Sequence, residues 1–246
     1  MPSLSAPELL GTWERGLDQP LILRALLLLR AAYPQEPEEW LAALSIGQRD
    51  AELFALREQL FGAEMACVEV CPQCGQRLGL TLNTAEIRAA CAPESETVLS
   101  IGKYELEFRC PNSEDLVAAL SESSNNNDMA DVRNRLIQRC LLSVEWSGMC
   151  VAPHQLPDEV IAAVSEQMAQ ADPLADIQLA VACLSCGHHW RAAFDIFSFL
   201  WREIESLAAR LLRDVHTLAS AYGWQEKEIL ALTPVRRQFY LALLGA

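Results

Sequence analysis

No serine–histidine–aspartate arrangement, phosphate-cradling glycine loop or dinucleotide fingerprint occurs in the 246 residues of this chain. Each of these would set a nucleophile beside its base, or ring a phosphate with backbone amides. Without them, catalysis is not the expected use of the protein. Positive charge is also scarce: 19 Lys and Arg stand against 33 Asp and Glu, for a net charge of −14. Nucleic-acid phosphates and an anionic membrane would both repel such a chain, which leaves only local basic patches for contacts of that kind. Long apolar runs are missing too. The greasiest stretch, Leu21 to Ala32, is interrupted by Arg24 and Arg30 and falls short of the roughly 20 residues that span a bilayer. The start, Met1 to Glu8, has no basic cluster followed by an apolar run, so no secretory leader is expected. Together these absences predict a cytoplasmic, non-enzymatic protein with no small-molecule substrate and no direct membrane insertion.

Cysteine, by contrast, is plentiful. There are nine, an odd number, and no targeting segment sends them to an oxidising compartment. Reduced thiols, and so a metal rather than disulfides, are the expectation. Apolar residues make up 51% of the chain, enough for a sizeable core.

Four of the cysteines stand in two Cys-x-x-Cys-Gly knuckles, Cys71-Pro72-Gln73-Cys74-Gly75 and Cys183-Leu184-Ser185-Cys186-Gly187. Two thiolates separated by two residues can grip one tetrahedral ion from a tight turn. The glycine that follows permits the left-handed backbone that aims amide hydrogens at the sulfurs. Four protein ligands leave no open position for a substrate or an activated water, so such a metal holds a fold and does no chemistry. Cys71, Cys74, Cys183 and Cys186 are therefore expected to share one structural Zn2+. More than a hundred residues lie between the knuckles, which makes this a zinc ribbon split by a large insertion. Closing so long a loop through a metal contributes on the order of 10 kcal/mol of folding free energy. Cys67, His188 and His189 are near enough in sequence to be substitute ligands. No βαβ pattern surrounds either knuckle, which argues against a redox dithiol. Cys91, Cys110, Cys140 and Cys150 have no partnered spacing and read as small core residues.

The remaining pattern is largely helical. Helices are expected from Ser5 or Ala6 to Leu17, from Pro20 to about Tyr33, around Trp40 to Leu44, and from Gly47 to Phe61, where Gly62 stops the last. Met65–Val70 and Arg77–Asn83 flank the first knuckle as a hairpin, and Ile177–Ala182 and Trp190–Asp195 flank the second. Val98–Ile101 and Tyr104–Phe108 form another hairpin, turning at Gly102-Lys103. Ser113 is the expected cap of a helix to Leu120, and Asp128 of one to about Val144. The segment Ser121 to Asp128 between them reads as a loop. Pro157 opens a helix to Ala171. Leu200, Ile204, Leu207, Leu211, Val215, Leu218 and Tyr222 keep one stripe on a long helix. Gly223 ends it, a short helix follows from Trp224 to Leu232, and Thr233 caps the last one with Pro234 in its first turn.

The fold class is thus α+β: mostly helical, with a split zinc ribbon and a long C-terminal helix. The expected organisation is a helical region 1–64, ribbon hairpins 65–84 and 177–196, an inserted α+β region 85–176, and a helical region 197–246. Arg236-Arg237 after two short helices could suggest a DNA-reading helix-turn-helix. A solvated helix face or a protein contact is the better reading, because no polar base-readers interleave and the chain is acidic.

Three stretches carry a resemblance. They are Gly47-Gln48-Arg49-Asp50 through Phe61-Gly62 into the first knuckle; Phe108-Arg109-Cys110-Pro111-Asn112-Ser113-Glu114-Asp115-Leu116; and Asp172-Pro173 through the second knuckle to Leu212-Arg213-Asp214-Val215-His216 and Tyr222-Gly223-Trp224. Over residues 47 to 240 the chain resembles the T-even-type baseplate proteins of contractile phage tails and extracellular contractile injection systems. That resemblance implies a structural or assembly role, with other baseplate, hub or tail subunits as partners and a place in the assembled tail-like particle. A zinc-ribbon regulator that binds nucleic acid is the alternative.

Overall fold

The computed structural model describes residues 4–90, 97–122 and 129–245. Cys91, most of the Ser121–Asp128 loop and the Asp128 cap lie outside these residues.

Helix α1 (Ala6–Gly16) begins with a reciprocal cap between Ser5 and Glu8, and α2 (Leu21–Ala32) follows Pro20. After the short α3 (Glu38–Ala43), α4 (Ile46–Phe61) opens on a Ser45–Gln48 box and stops at Gly62, whose φ of 87° favours glycine. Strands β1 (Glu64–Val70) and β2 (Arg77–Asn83) form the first hairpin, and α5 (Thr84–Ala90) follows it. Next come β3 (Val98–Ile101), β4 (Tyr104–Phe108), α6 (Ser113–Glu122) and α7 (Met129–Cys140). Then β5 (Leu141–Trp146), β6 (Met149–Cys150) and α8 (Asp158–Ala171) lead to the second hairpin, β7 (Ile177–Ala182) and β8 (His189–Phe194). The chain continues through α9 (Ile196–Tyr222), α10 (Glu226–Leu230) and α11 (Pro234–Leu243). The described structure is mostly helical, with small antiparallel sheets and a long helix near its C-terminal end.

Two readings of local structure change. The helix expected to reach Val144 ends at Cys140, and Leu141–Trp146 is a strand paired with β4 from Tyr104↔Trp146 to Phe108↔Leu141. Leu141, Leu142 and Val144 fit either period over so short a run, and pairing with β4 decides the conformation. The cap of α6 is Asn112 rather than Ser113: Asn112 Oδ1 accepts from the Asp115 amide at 2.9 Å, and Asp115 Oδ2 accepts from the Asn112 amide at 3.1 Å. Ser113 is already helical and is buried.

The chain divides into two compact units, Met1–Glu36 with Ile196–Ala246, and Pro37–Asp195. The first is all-helical among its described residues. Leu9, Leu28 and Leu29 of α1 and α2 are buried, as are Leu200, Ile204, Ala208, Leu211 and Leu218 along α9. Trp201 explains Gly16, because a Cβ there would collide with the indole. Arg24 lies over the same ring at 5.1 Å, and Glu205 accepts the indole N–H at 2.8 Å. Arg236 is on the outside of α11, but Arg237 is not a solvated residue: it is 6% exposed and donates to Asp214 Oδ2 at 3.1 Å. Half of the basic pair is therefore committed to a buried ion pair that ties α11 to α9.

The second unit has its main core under the four-stranded sheet β3-β4-β5-β6. Leu106, Phe108 and Val144 of the sheet meet Ile137 and Cys140 of α7 and Val160, Ile161, Val164 and Met168 of α8. Burying a large side chain of this kind contributes roughly 1.5–3 kcal/mol. Tyr104, Leu106 and Phe108 share the inner side of β4, as period-two alternation requires. The two knuckle-bearing hairpins belong to this unit but form separate two-stranded sheets.

Candidate metal centre

Each hairpin delivers its cysteines in the same way. In the first, the Cys71 amide donates to the Gln76 carbonyl at 2.9 Å and the Gly75 amide to the Cys71 carbonyl at 2.9 Å. In the second, the Cys183 amide donates to the His188 carbonyl at 2.8 Å and the Gly187 amide to the Cys183 carbonyl at 2.9 Å. Gly75 and Gly187 have φ of 71° and 72°, a left-handed turn that a side chain would strain. The first cysteine of each knuckle is buried, Cys71 at 1% and Cys183 at 2% exposure, and the second is exposed. The two turns are thus near-copies, each offering one inner and one outer sulfur.

The four sulfurs of Cys71, Cys74, Cys183 and Cys186 lie within 4.8 Å of one another. Cys71 Sγ is 3.7 Å from Cys186 Sγ, and Cys74 Sγ is 3.6 Å from Cys183 Sγ. These separations are far beyond a disulfide of about 2.05 Å. They match the edge of a thiolate tetrahedron around zinc, about 3.8 Å for Zn–S bonds of about 2.3 Å. The close pairs also cross between hairpins, so each inner sulfur faces the outer sulfur of the other knuckle. The donor set and its spacing can hold a metal ion.

The electrostatics fit the same use. The Cys186 and Ser185 amides donate to Cys183 Sγ and help bring its thiol down to about 6. The Gln76 amide likewise donates to Cys74 Sγ, and the His188 amide to Cys186 Sγ. Partial desolvation within the cluster and the neighbouring sulfurs nevertheless push Cys186 up to about 12. Sulfurs this close cannot all be anions unless a cation sits among them, which is the arrangement a bound metal relieves.

The substitute ligands are placed elsewhere. Cys67 is in β1 opposite Leu80, His189 pairs with Ala182 in the ladder, and the His188 ring stacks on Trp190 at 5.8 Å between centroids. Among the remaining cysteines Cys140 is buried and Cys110 half-buried, but Cys150 is exposed on the two-residue strand β6. That last position departs from the core reading, because a short edge strand has no layer over its outer side.

A second constellation was not legible as a unit in the sequence. Asp172 Oδ2 accepts the Gly47 amide at 2.9 Å across 125 residues of chain, and a Cβ on residue 47 would collide with that carboxylate. The next residue pair, Arg49 and Asp50, forms a buried ion pair at 2.7 Å, and Arg49 also donates to Ser113 at 3.3 Å. Burial pushes the Asp50 carboxyl up to about 6 against the pull of Arg49, and Asp195 and Asp172 add to the rise. Arg109 grips Asp115 with both terminal nitrogens, one of them at 2.9 Å. Against the cost of burial, Arg109 and the Asn112 amide hold Asp115 below the usual carboxylate range. A cleft of about 650 Å3 lies where these segments meet, lined by Gly47, Gln48, Arg109, Cys110, Asn112 and Asp172 among others. Its Arg109, Asn112 and Asp172 already have partners within the fold, so these groups work as pins between segments.

All of these polar pins, and both knuckles, fall inside one region of similarity to known proteins. The family model for the T4 bacteriophage base plate protein matches residues 25–201, more than half of the chain. The chain belongs to that family. The matched span includes all four clustered cysteines and stops at Trp201, so the Leu212–Trp224 stretch of the resemblance lies beyond it. No curated protein matches the chain, and no solved structure does. Base plate membership points to a structural component of a phage-tail particle that contacts other base plate components. Among the described residues, no helix is long and apolar enough to cross a membrane.

Proposed function

We propose that this protein is a structural or assembly component of the baseplate of a contractile tail-like particle, made in the bacterial cytoplasm. One Zn2+ bound by Cys71, Cys74, Cys183 and Cys186 staples it, and it acts through protein–protein contacts with baseplate, hub or tail subunits. The convergence of four sulfurs from two distant knuckles, within a chain of the base plate family, carries this reading. Such a site has no open coordination position, so its metal serves the fold. It closes a loop of more than a hundred residues and so defines the split ribbon, with hairpins 65–84 and 177–196 around the insertion 85–176.

Two measurements test the two halves of the proposal. Elemental analysis of the purified protein is expected to give one zinc per chain, lowered by Cys71→Ser or by Cys183→Ser. A quadruple serine variant that keeps a tightly bound zinc refutes the ligand set. Separately, tail-like particles from producing cells are expected to contain the protein or to require it for assembly. Normal particles that form without it and never contain it end the baseplate reading.

A further inference from the structure

Helix α11 is apolar on two sides. Arg237 and Leu241 face inward, buried against the helical unit. Val235, Phe239 and Leu243, spaced by four residues along the outer side, are 81%, 64% and 63% exposed. A surface helix that buries one stripe ordinarily turns polar groups to water on the other. Here Arg236 and Gln238 only border the outer stripe, which runs about 12 Å along the helix. Beside it sits a packed aromatic cluster. Tyr222 and Trp224 stack at 4.8 Å, Tyr240 meets Trp224 edge-on at 4.9 Å, and Phe239 continues the series at 6.3 Å from Tyr240. Rigid aromatic rings next to an arginine are the residue types in which binding energy concentrates at protein interfaces.

Charge selects the occupant. The chain as a whole is −14, yet residues 196–245 hold six basic and five acidic side chains, and α11 has no carboxylate at all. Arg236 is exposed and makes no ion pair among the described residues. A second copy is a poor match, because its α11 would bring no carboxylate to Arg236. We propose that the outer face of α11, with the Tyr222–Trp224–Tyr240 cluster, docks an amphipathic helix of another baseplate subunit whose apolar stripe is bordered by carboxylates. The inference rests on the assembly reading above and gives it a surface and a partner chemistry. Apolar contact supplies the affinity, and Arg236 supplies the preference for acidic flanks.

The probes are two synthetic helices with identical leucine spacing, one flanked by glutamates and one by lysines, titrated into the full-length protein at physiological salt. The glutamate-flanked helix should bind several-fold tighter. Arg236→Glu should reverse that order, and Phe239→Asp should abolish both interactions while leaving the thermal melt unchanged, since residue 239 points outward. Equal affinities, or a preference for lysine flanks, overturn the proposal. So does a concentration-dependent dimer in sedimentation that Phe239→Asp dissolves, because a second copy then occupies the face. In particles, wild-type protein should be incorporated and Phe239→Asp lost. Equal incorporation of both removes the docking surface but keeps the baseplate reading, whereas absence of the wild type removes the baseplate reading itself.

Discussion

The two kinds of sheet in the second unit are held in different ways. The four-stranded sheet buries Leu106, Phe108 and Val144 under two helices. The knuckle-bearing hairpins bury far less: Met65 in the first pair of strands, and Ile177, Val181 and Ala192 in the second. Toward the knuckles only Cys71 and Cys183 are buried, while Val68, Val70 and Leu184 are exposed. A lone two-stranded hairpin is marginal in water, so the knuckle ends need something other than a core. Their sulfurs are spaced to supply it. The difference teaches that this unit joins one element stabilised by apolar burial to another whose clustered sulfurs are spaced to hold a metal ion, and under the proposed zinc staple the two should fail under different treatments.

The largest expected effect separates them at once. Under the proposed zinc staple, removing the metal with a chelator should cost on the order of 10 kcal/mol at the ribbon, and replacing Cys183 with serine should cost a part of that. Hydrogen exchange should show β1, β2, β7 and β8 losing protection while β4, β5 and α8 keep theirs. Simultaneous loss everywhere would erase the distinction. The converse is Phe108→Ala, which empties a fully buried site and should cost about 3–5 kcal/mol in a denaturant titration with zinc content unchanged.

Smaller effects probe the polar pins that join segments. Asp50 titrates at about 6 in the folded protein, against about 4 in an unfolded chain. Between those values the folded state holds more protons, so stability should fall as pH rises from about 4 to about 6 and stay level above, by on the order of 3 kcal/mol. Asp50→Asn should flatten that slope; an unchanged slope would assign it to another group. Gly47→Ala should cost about 2 kcal/mol, since the added methyl displaces the Asp172 carboxylate from its amide. A melt identical to the wild type would show that the pin contributes little.

The parts legible in the sequence are those coded by short-range signals. Ser5 ahead of Ala6, Pro234 after Thr233, and glycines at 62, 75, 187 and 223 mark turns and element ends close to where they occur. Alternation in Tyr104, Leu106 and Phe108 gave the inner face of β4. The cysteine spacing nominated four residues that the fold does bring together. Leu141–Val144 departs from the expected helix because its apolar pattern suits a helix or a strand, and only the neighbouring edge of β4 selects the strand. Arg237 departs from the expected solvated face because a charged residue on a helix says little about which side faces the core; its partner, Asp214, is 23 residues away. The Asn112–Asp115 box was one residue from its expected place, although both side chains stood in plain view.

By itself, the sequence determined which segments turn, cap and alternate, and which four thiols have the local spacing to act in pairs. Those choices depend on backbone dihedrals and neighbours a few residues apart, where chain connectivity already fixes the geometry. Tertiary structure decided that the two thiol pairs meet across more than a hundred residues, that Asp172 closes onto Gly47, and that Arg237 is buried against Asp214. Each of those contacts sets the entropy of a long loop against a few directed interactions, a balance that no local pattern records.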